Sequence, residues 1–255
     1  HNSNELVSIN PRALSLSATR IRVGGISGGV GNTVQVMQPG QPMNSFYLYQ
    51  QRYDTTTGSP TFGRPLEGQY VDQPTVLDSV ACGASIPAAG CVGLYRPDGQ
   101  INQDDLRPSH DPVPKWMFGH TSYLTYRSFD LSFTLRAYLG NYVYNNVASS
   151  RGFFDELTRS SPYNLHTSVL ESGFQTKQYL SDYYLEDGSF LRMDNITLGY
   201  SFKYRGMPWR VFGAVQNAFT LTGYSGVDPT AGLGGIDNNI YPRSRTWSGG
   251  MSVRF

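Results

Sequence analysis

Phe129-Asp130-Leu131-Ser132-Phe133-Thr134-Leu135-Arg136-Ala137-Tyr138-Leu139-Gly140 is the stretch that decides the fold. Its odd positions are apolar, and its even positions carry Asp, Ser, Thr, Arg, Tyr and Gly. Side chains alternate across a strand, so this period of two makes an extended segment with one apolar and one polar face. The grammar recurs downstream. Ile196, Leu198, Tyr200 and Phe202 alternate with Asn195, Thr197, Gly199, Ser201 and Lys203; Trp247, Met251, Val253 and Phe255 alternate with Ser248, Gly250, Ser252 and Arg254. Trp209, Val211 and Val215 share a parity against Arg210, Ala214 and Gln216, although Phe212 and Asn217 interrupt it. Five strands are expected, at 116–127, 129–140, 189–203, 208–222 and 244–255.

Composition narrows what such strands pack against. Among 255 residues, 20 Lys+Arg face 19 Asp+Glu, a net charge of +1. That balance argues against a nucleic-acid partner, which calls for a basic surplus. Charged residues make up 15%, below the roughly 25% of soluble domains. Aromatics at 13% are too many for a disordered chain. No apolar run approaches the ~18 residues of a spanning helix, so if this protein lives in a membrane it does so as strands.

In a soluble sandwich the apolar faces of two sheets meet; in an outer-membrane barrel the apolar face meets lipid and the polar face lines the lumen. Three features favour the barrel. The strands exceed the roughly 5–6 residues of globular sheets. Aromatics gather near strand ends (Tyr126 and Phe129, Tyr200 and Phe202, Trp209, Trp247 and Phe255), as interfacial girdles do. Connections alternate between short turns, at Arg127-Ser128 and 204–207, and long loops, at 141–188 and 223–243. The fold expected is all-β, a transmembrane antiparallel β-barrel with long extracellular loops. Register then assigns Asp130, Arg136, Asn195, Lys203, Arg210, Gln216 and Arg254 to the lumen, and Trp247, Met251, Val253 and Phe255 to lipid as a C-terminal barrel signature. His120 reads as a lumen or girdle residue.

Residues 1–115 have another texture. Gly24-Gly25-Ile26-Ser27-Gly28-Gly29, Pro39-Gly40-Gln41-Pro42 and Asp54-Thr55-Thr56-Thr57-Gly58-Ser59-Pro60 are dense turn chemistry that leaves room only for short strands such as Ser45–Gln51. This region is expected to be mainly extracellular loop, with 116–255 supplying the membrane strands. Cys82 and Cys91 flank a Gly- and Pro-bearing segment. An even cysteine count in such a loop points to a disulfide and an oxidising compartment; free thiols are the alternative, and intact mass with and without reductant separates the two.

The stretch Tyr184-Leu185-Glu186-Asp187-Gly188-Ser189-Phe190-Leu191-Arg192-Met193-Asp194-Asn195-Ile196-Thr197-Leu198-Gly199-Tyr200 resembles a hallmark of SusC/RagA-type TonB-dependent transporters. So do Gln216-Asn217-Ala218-Phe219-Thr220-Leu221-Thr222-Gly223-Tyr224-Ser225-Gly226-Val227-Asp228-Pro229, and the ending Gly235-Ile236-Asp237-Asn238 through Tyr241-Pro242-Arg243-Ser244-Arg245-Thr246. The resemblance covers about the last 140 residues, with weaker anchors before. It implies the C-terminal segment of a larger plugged barrel in the bacterial outer membrane. It further implies TonB-driven import of oligomeric nutrients, glycans or peptides, with a SusD-like surface lipoprotein as partner and TonB engaged through an N-terminal part outside this chain. A passive or structural barrel, adhesin or porin-like, shares only the strand grammar. Five strands do not close a barrel, and an open edge in lipid strands backbone groups at several kcal/mol each, so a fragment of a longer chain is expected.

Catalytic signals fail on inspection. Gly25-Ile26-Ser27-Gly28-Gly29 matches a nucleophile elbow, but Val30-Gly31-Asn32-Thr33 behind it is no helix start. His1, His110, His120 and His166 share no metal-ligand spacing. Family members resembling this one carry an acidic calcium-like loop where Asp98-Gly99-Gln100-Ile101-Asn102-Gln103-Asp104-Asp105 stands. Leu94 and Arg96 occupy its first two ligand positions, so the hard-cation set is depleted. Asp98, Asp104 and Asp105 remain the candidate calcium ligands, beside the preferred reading of a solvated acidic turn. Gly152–Thr158 is expected to form a helical turn or two. Tyr142, Tyr144, Tyr163, Tyr179, Tyr183 and Tyr184 suit either a ligand-stacking surface or the loop's own core.

Overall fold

A computed structural model describes residues 20–26, 33–77, 95–158, 164–230 and 234–254. Cys82, Cys91 and Phe255, together with Tyr163 and most of the elbow-like segment, lie outside the described residues. The described chain divides into two compact units, one of 111–144 and 186–254, the other of 20–110 and 145–185. The second unit thus takes in most of the long loop 141–188.

In that second unit the strands are short, as turn density dictates: β1 (Ile21–Gly25), β2 (Thr33–Met37), β3 (Ser45–Leu48), β4 (Gln51–Tyr53), β5 (Pro65–Tyr70), β6 (Val76–Leu77), β7 (Tyr95–Arg96) and β8 (Arg107–Pro108). They form a sheet of order β1-β2-β3-β8 and two small ladders, β4-β5 and β6-β7. Val34, Val36, Phe46, Leu48 and Leu106 are fully buried, as are Phe153, Phe174 and Tyr184 from the 145–185 segment. Gln51 ties the segments together. Its N–H donates to Asp182 Oδ1 at 2.8 Å, its Oε1 accepts from Ser181 Oγ at 2.7 Å, and its Nε2 donates to the Leu66 and Gln69 carbonyls at 2.6 and 3.0 Å. A buried amide whose oxygen and nitrogen are both hydrogen-bonded costs little to bury and fixes one arrangement.

The other unit is built on β9 (Trp116–Tyr126), β10 (Phe129–Leu139), β13 (Phe190–Tyr204), β14 (Met207–Thr222) and β16 (Thr246–Val253). These are the five expected strands, with ends shifted by one or two residues. They pair antiparallel in the order β16-β14-β13-β10-β9. The hairpin β13-β14 closes through Arg205 and Gly206, both left-handed at φ 52° and 79°, the geometry that matches strand twist. The two tight turns lie side by side, with Ser201 N–H donating to the Ser128 carbonyl at 2.8 Å.

At the opposite end, β11 (Tyr142–Asn145), β12 (Leu185–Asp187) and β15 (Ile236–Asp237) make a small sheet of order β12-β11-β15. Val143 and Tyr224 form a buried cluster packed by Ile240. Tyr224 donates its hydroxyl to Asp237 Oδ2 at 2.8 Å; burial first, then the Asp237 charge, raises its pKa. The long loops therefore contain ordered structure of their own. Helix α1 (Asn146–Arg151), a 3₁₀ turn at Phe154–Thr158 and helix α2 (Ser168–Ser172) occupy the first loop, so the helical turn expected at 152–158 is present as the 3₁₀ segment. Tyr144 and Tyr184 are buried and Tyr179 is exposed, which gives the loop core two of its tyrosines.

Candidate functional site

Ladder register defines the two faces of the five-stranded sheet. Leu131 opposes Leu198 and Leu124, Val211 opposes Tyr200 and Met251, and Trp209 opposes Phe202 and Val253. These residues form one apolar face. Its rings run together near the tight turns: Phe129–Tyr200 at 4.8 Å, Tyr200–Phe202 at 5.9 Å and Phe202–Trp209 at 6.4 Å between centroids. Trp247 and Met251 extend it and are largely exposed. His120 belongs to this apolar face, opposite Leu135 and beside the Phe133 ring, with Ser122 Oγ 2.7 Å from its Nε2.

The other face carries all seven of Asp130, Arg136, Asn195, Lys203, Arg210, Gln216 and Arg254. Asn195 stands between Thr134 and Gln216, and Lys203 opposes Pro208. Arg210 reaches diagonally to Asp130 with two hydrogen bonds, 3.0 Å from Nε to Oδ1 and 2.5 Å from Nη2 to Oδ2. The pair passes directly over Gly199, where a Cβ would collide with both side chains. Glycine at 199 is therefore what lets a charge pair bridge three strands. Phe212 also lies on this face, with the Arg210 guanidinium 5.2 Å from its ring centre and Gly250 leaving room beneath it. That explains its break in the sequence alternation.

A second break has a larger consequence. Register slips where Thr134 opposes Asn195 but Leu135 opposes Met193, which leaves Asp194 as an extra residue in β13. A β-bulge inserts one residue and so inverts facing beyond it. Arg192, which strict alternation assigns to the apolar face, stands opposite Arg136 and Thr220 on the polar face. Asp194 binds Arg136 Nη2 at 3.0 Å. In β14 the matching irregularity falls at Asn217, left-handed at φ 51°.

Arg192 is the largest fully buried side chain among the described residues, 2% exposed. Its Nη2 donates to Asp228 Oδ1 at 2.6 Å and its Nε to Thr220 Oγ1 at 3.0 Å, while Nη1 has no acceptor. Asp228, from the loop 223–243, also accepts from the Thr230 hydroxyl and N–H at 2.6 and 2.8 Å and pairs with Arg243 Nε at 3.4 Å. Burial pushes the Asp228 carboxyl upward, but the Thr230 donors and the Arg192 guanidinium outweigh it and hold its pKa below the ordinary carboxylate range.

A polar cleft of about 440 Å³ beside this cluster is lined by Arg192, Asp194, Asn195, Gln216, Asn217 and Arg243, with Ser244 and Thr246. Near the tight turns, Lys203, Arg210 and Arg254 share another of about 490 Å³. Sequence reasoning missed Arg192, Asp194, Asp228 and Arg243. The available signal was the run Arg192-Met193-Asp194-Asn195, which places three polar side chains where alternation allows two.

The acidic turn has a local role. Asp105 is buried, and its two oxygens accept from the backbone N–H groups of Gln73 and Asn102 at 2.7 and 2.8 Å. Asp98 accepts from the Gln100 N–H at 2.8 Å, and the Asp104 N–H donates to Asn102 Oδ1 at 2.7 Å. Among the described residues no group of three or more His, Cys, Asp or Glu side chains is placed to hold a metal ion.

Comparison with known proteins gives the sheet a context. The chain is 35% identical over 244 residues to the TonB-dependent receptor SusC of Bacteroides thetaiotaomicron, which covers 90% of this chain and 21% of that protein. It is 25% identical to the TonB-dependent receptor P3 of Formosa agariphila, across 87% of this chain and 23% of that protein. The chain thus spans about a fifth of the length of these curated relatives. Among solved structures, the RagAB peptide importer in its open-open state superposes with a TM-score of 0.64 at 20% identity, covering 98% of this chain and 25% of that one. No family model matches.

Proposed function

The chain belongs to the SusC/RagA-type family of TonB-dependent receptors, β-barrels of the bacterial outer membrane, and from that premise we propose that the protein of which it is part imports oligomeric nutrients, glycans or peptides, across that membrane. The observation that carries the reading is the two-faced sheet. One face is mostly apolar and aromatic, interrupted in β9 by His120 and Ser122, and suits lipid; the other holds Asp130–Arg210, Arg136–Asp194 and Arg192–Asp228–Arg243. In this reading the polar face lines the lumen, because an Arg or Lys on the lipid face near the bilayer midplane costs about 2–4 kcal/mol. Part of the lining, Lys203 and Arg254 above all, meets a plug domain encoded elsewhere in the full protein. A SusD-like lipoprotein covers the outer mouth, and TonB supplies the drive through a segment outside this chain. The chemistry is binding and passage; no bond is made or broken.

Energised import and a passive pore differ in one property. Cells expressing the full-length receptor are given fluorescent oligomers with and without an uncoupler of the proton-motive force. Uptake that stops with the uncoupler and with loss of the TonB-contacting segment supports import. Uptake indifferent to both assigns the barrel to the passive class.

A further inference from the structure

Tyr126-Arg127 and Tyr204-Arg205 hold the same place in two hairpins. Tyr126 pairs with Phe129 and Tyr204 with Met207, so each tyrosine ends a ladder and each arginine opens a two-residue turn. Both arginines have positive φ, 54° and 52°. That conformation strains a residue with a Cβ, and Gly, Asn and Asp adopt it most readily. Turn chemistry therefore does not account for arginine at either position, and a repeated backbone outlier points to function.

Each guanidinium lies against the ring before it, 5.3 Å from the Tyr126 centroid and 5.5 Å from that of Tyr204. Register puts both rings on the apolar face, in line with Leu124 and Phe202, and Trp209 packs edge-on to Tyr204 at 6.3 Å. The two tyrosines are 69% and 53% exposed, and both arginines are exposed. Among the described residues neither arginine has a carboxylate partner. Residues 116–129 and 195–212 contain no Asp or Glu. The adjoining Asp130 stands on the other face, with both oxygens taken by Arg210. Lys203 and Arg254, also on that other face, add to the positive potential without joining the turns.

This is a cation laid on a lipid-facing aromatic at the end of a membrane strand. Tight turns mark the periplasmic end of a barrel, so the headgroups within reach are those of the inner leaflet. The guanidinium fork matches two phosphate oxygens, and a tyrosine suits the boundary between acyl chains and water. A zwitterionic headgroup would bring its own cation to turns with no carboxylate to receive it, so a net negative lipid is favoured. We propose that each Tyr-Arg turn binds the phosphodiester of an anionic phospholipid in the periplasmic leaflet. The guanidinium donates to the phosphate oxygens, the tyrosine hydroxyl donates to the glycerol ester region, and the acyl chains run along the apolar face. The inference rests on the assignment of that face to lipid, and not on what the barrel imports.

The test places the full-length receptor in nanodiscs of phosphatidylcholine with a minor share of phosphatidylglycerol, and native mass spectrometry reads the lipid it retains. Phosphatidylglycerol is expected to be retained beyond its share of the bilayer. Arg127→Asn and Arg205→Asn each lower that enrichment about fivefold, the factor equivalent to ~1 kcal/mol for one basic side chain at an anionic surface. Asn relieves the backbone, and Arg205→Asn creates the Asn-Gly pair that such turns favour. The yield of heat-modifiable barrel therefore holds or rises, which separates lost lipid binding from lost folding. Equal enrichment in wild type and both variants, or none over phosphatidylcholine, overturns the site. So does enrichment abolished by inorganic phosphate at an ionic strength matched with chloride, which would assign the arginines to a soluble anion. Enrichment absent while oxygen reaches a spin label at Leu135 removes the headgroup site alone. Enrichment absent with that label shielded from oxygen removes the lipid-facing assignment as well.

Discussion

The two units of this chain differ in whether their strands close on a core of their own. The unit of 20–110 and 145–185 closes on Val34, Val36, Phe46, Leu48, Leu106, Phe153 and Phe174, a core in which buried Gln51, Asp105 and Glu156 also sit. In the five long strands the most deeply buried large side chain is Arg192, while Leu124, Leu198, Trp247 and Met251 stand exposed. One region supplies its own solvent-excluding core; the other is written for surroundings that the chain itself does not provide. Loops held by their own core present a defined surface, and strands with an outward apolar face need lipid and neighbouring strands to be stable.

Substitutions probe that contrast in both directions. Phe46→Ala removes a fully buried ring and is expected to cost about 3–5 kcal/mol. The loss stays within its own unit: hydrogen exchange accelerates across 33–110 while β10 and β13 keep their protection. Asp228→Ala leaves Arg192 buried without a counter-charge, also about 3–5 kcal/mol, and makes 223–243 sensitive to protease in the native receptor. Because the Asp228 pKa is lowered on folding, the same anchoring follows pH. Its contribution is complete above ~4, the unfolded value, and is lost as pH falls through the lower folded value. Limited proteolysis of the loop across that acid range reads it out; a loop equally resistant at every pH contradicts the anchor.

In the strands, Leu135→Arg on the apolar face is expected to cost about 2–4 kcal/mol if it lies near the midplane, seen as reduced heat-modifiable barrel. Thr134→Arg, one residue away on the polar face, changes stability within about 0.5 kcal/mol. Similar losses at both positions would erase the distinction between the faces.

Alternation made the strands legible because each residue of 129–139 carries its facing in its own chemistry. The bulge at Asp194 was not legible in that way. It is a register choice among three strands, and it moves Arg192 to the polar face without altering local propensity. The Arg192–Asp228 pair joins residues 36 apart in sequence, and no period links a strand to a loop at that distance. Phe212 looked like noise in β14 until its guanidinium neighbour and the bare Gly250 gave it a place. The tyrosine-rich loop left surface and core equally open, and burial of Tyr144 and Tyr184 came from tertiary packing that composition does not encode.

The facing of β10 is the central claim, and accessibility along it is the most direct measurement. Single spin labels are placed at each position from Phe129 to Leu139 in the full-length receptor, reconstituted in bilayers, and collision rates are read with oxygen, which concentrates in lipid, and with a water-soluble nickel chelate. Two-residue oscillation is expected, with oxygen maxima at 131, 133, 135 and 137 and minima at 130, 132, 134 and 136. An oscillation of opposite phase, or none, contradicts the assignment of the apolar face to lipid and of Asp130 and Arg136 to the lumen.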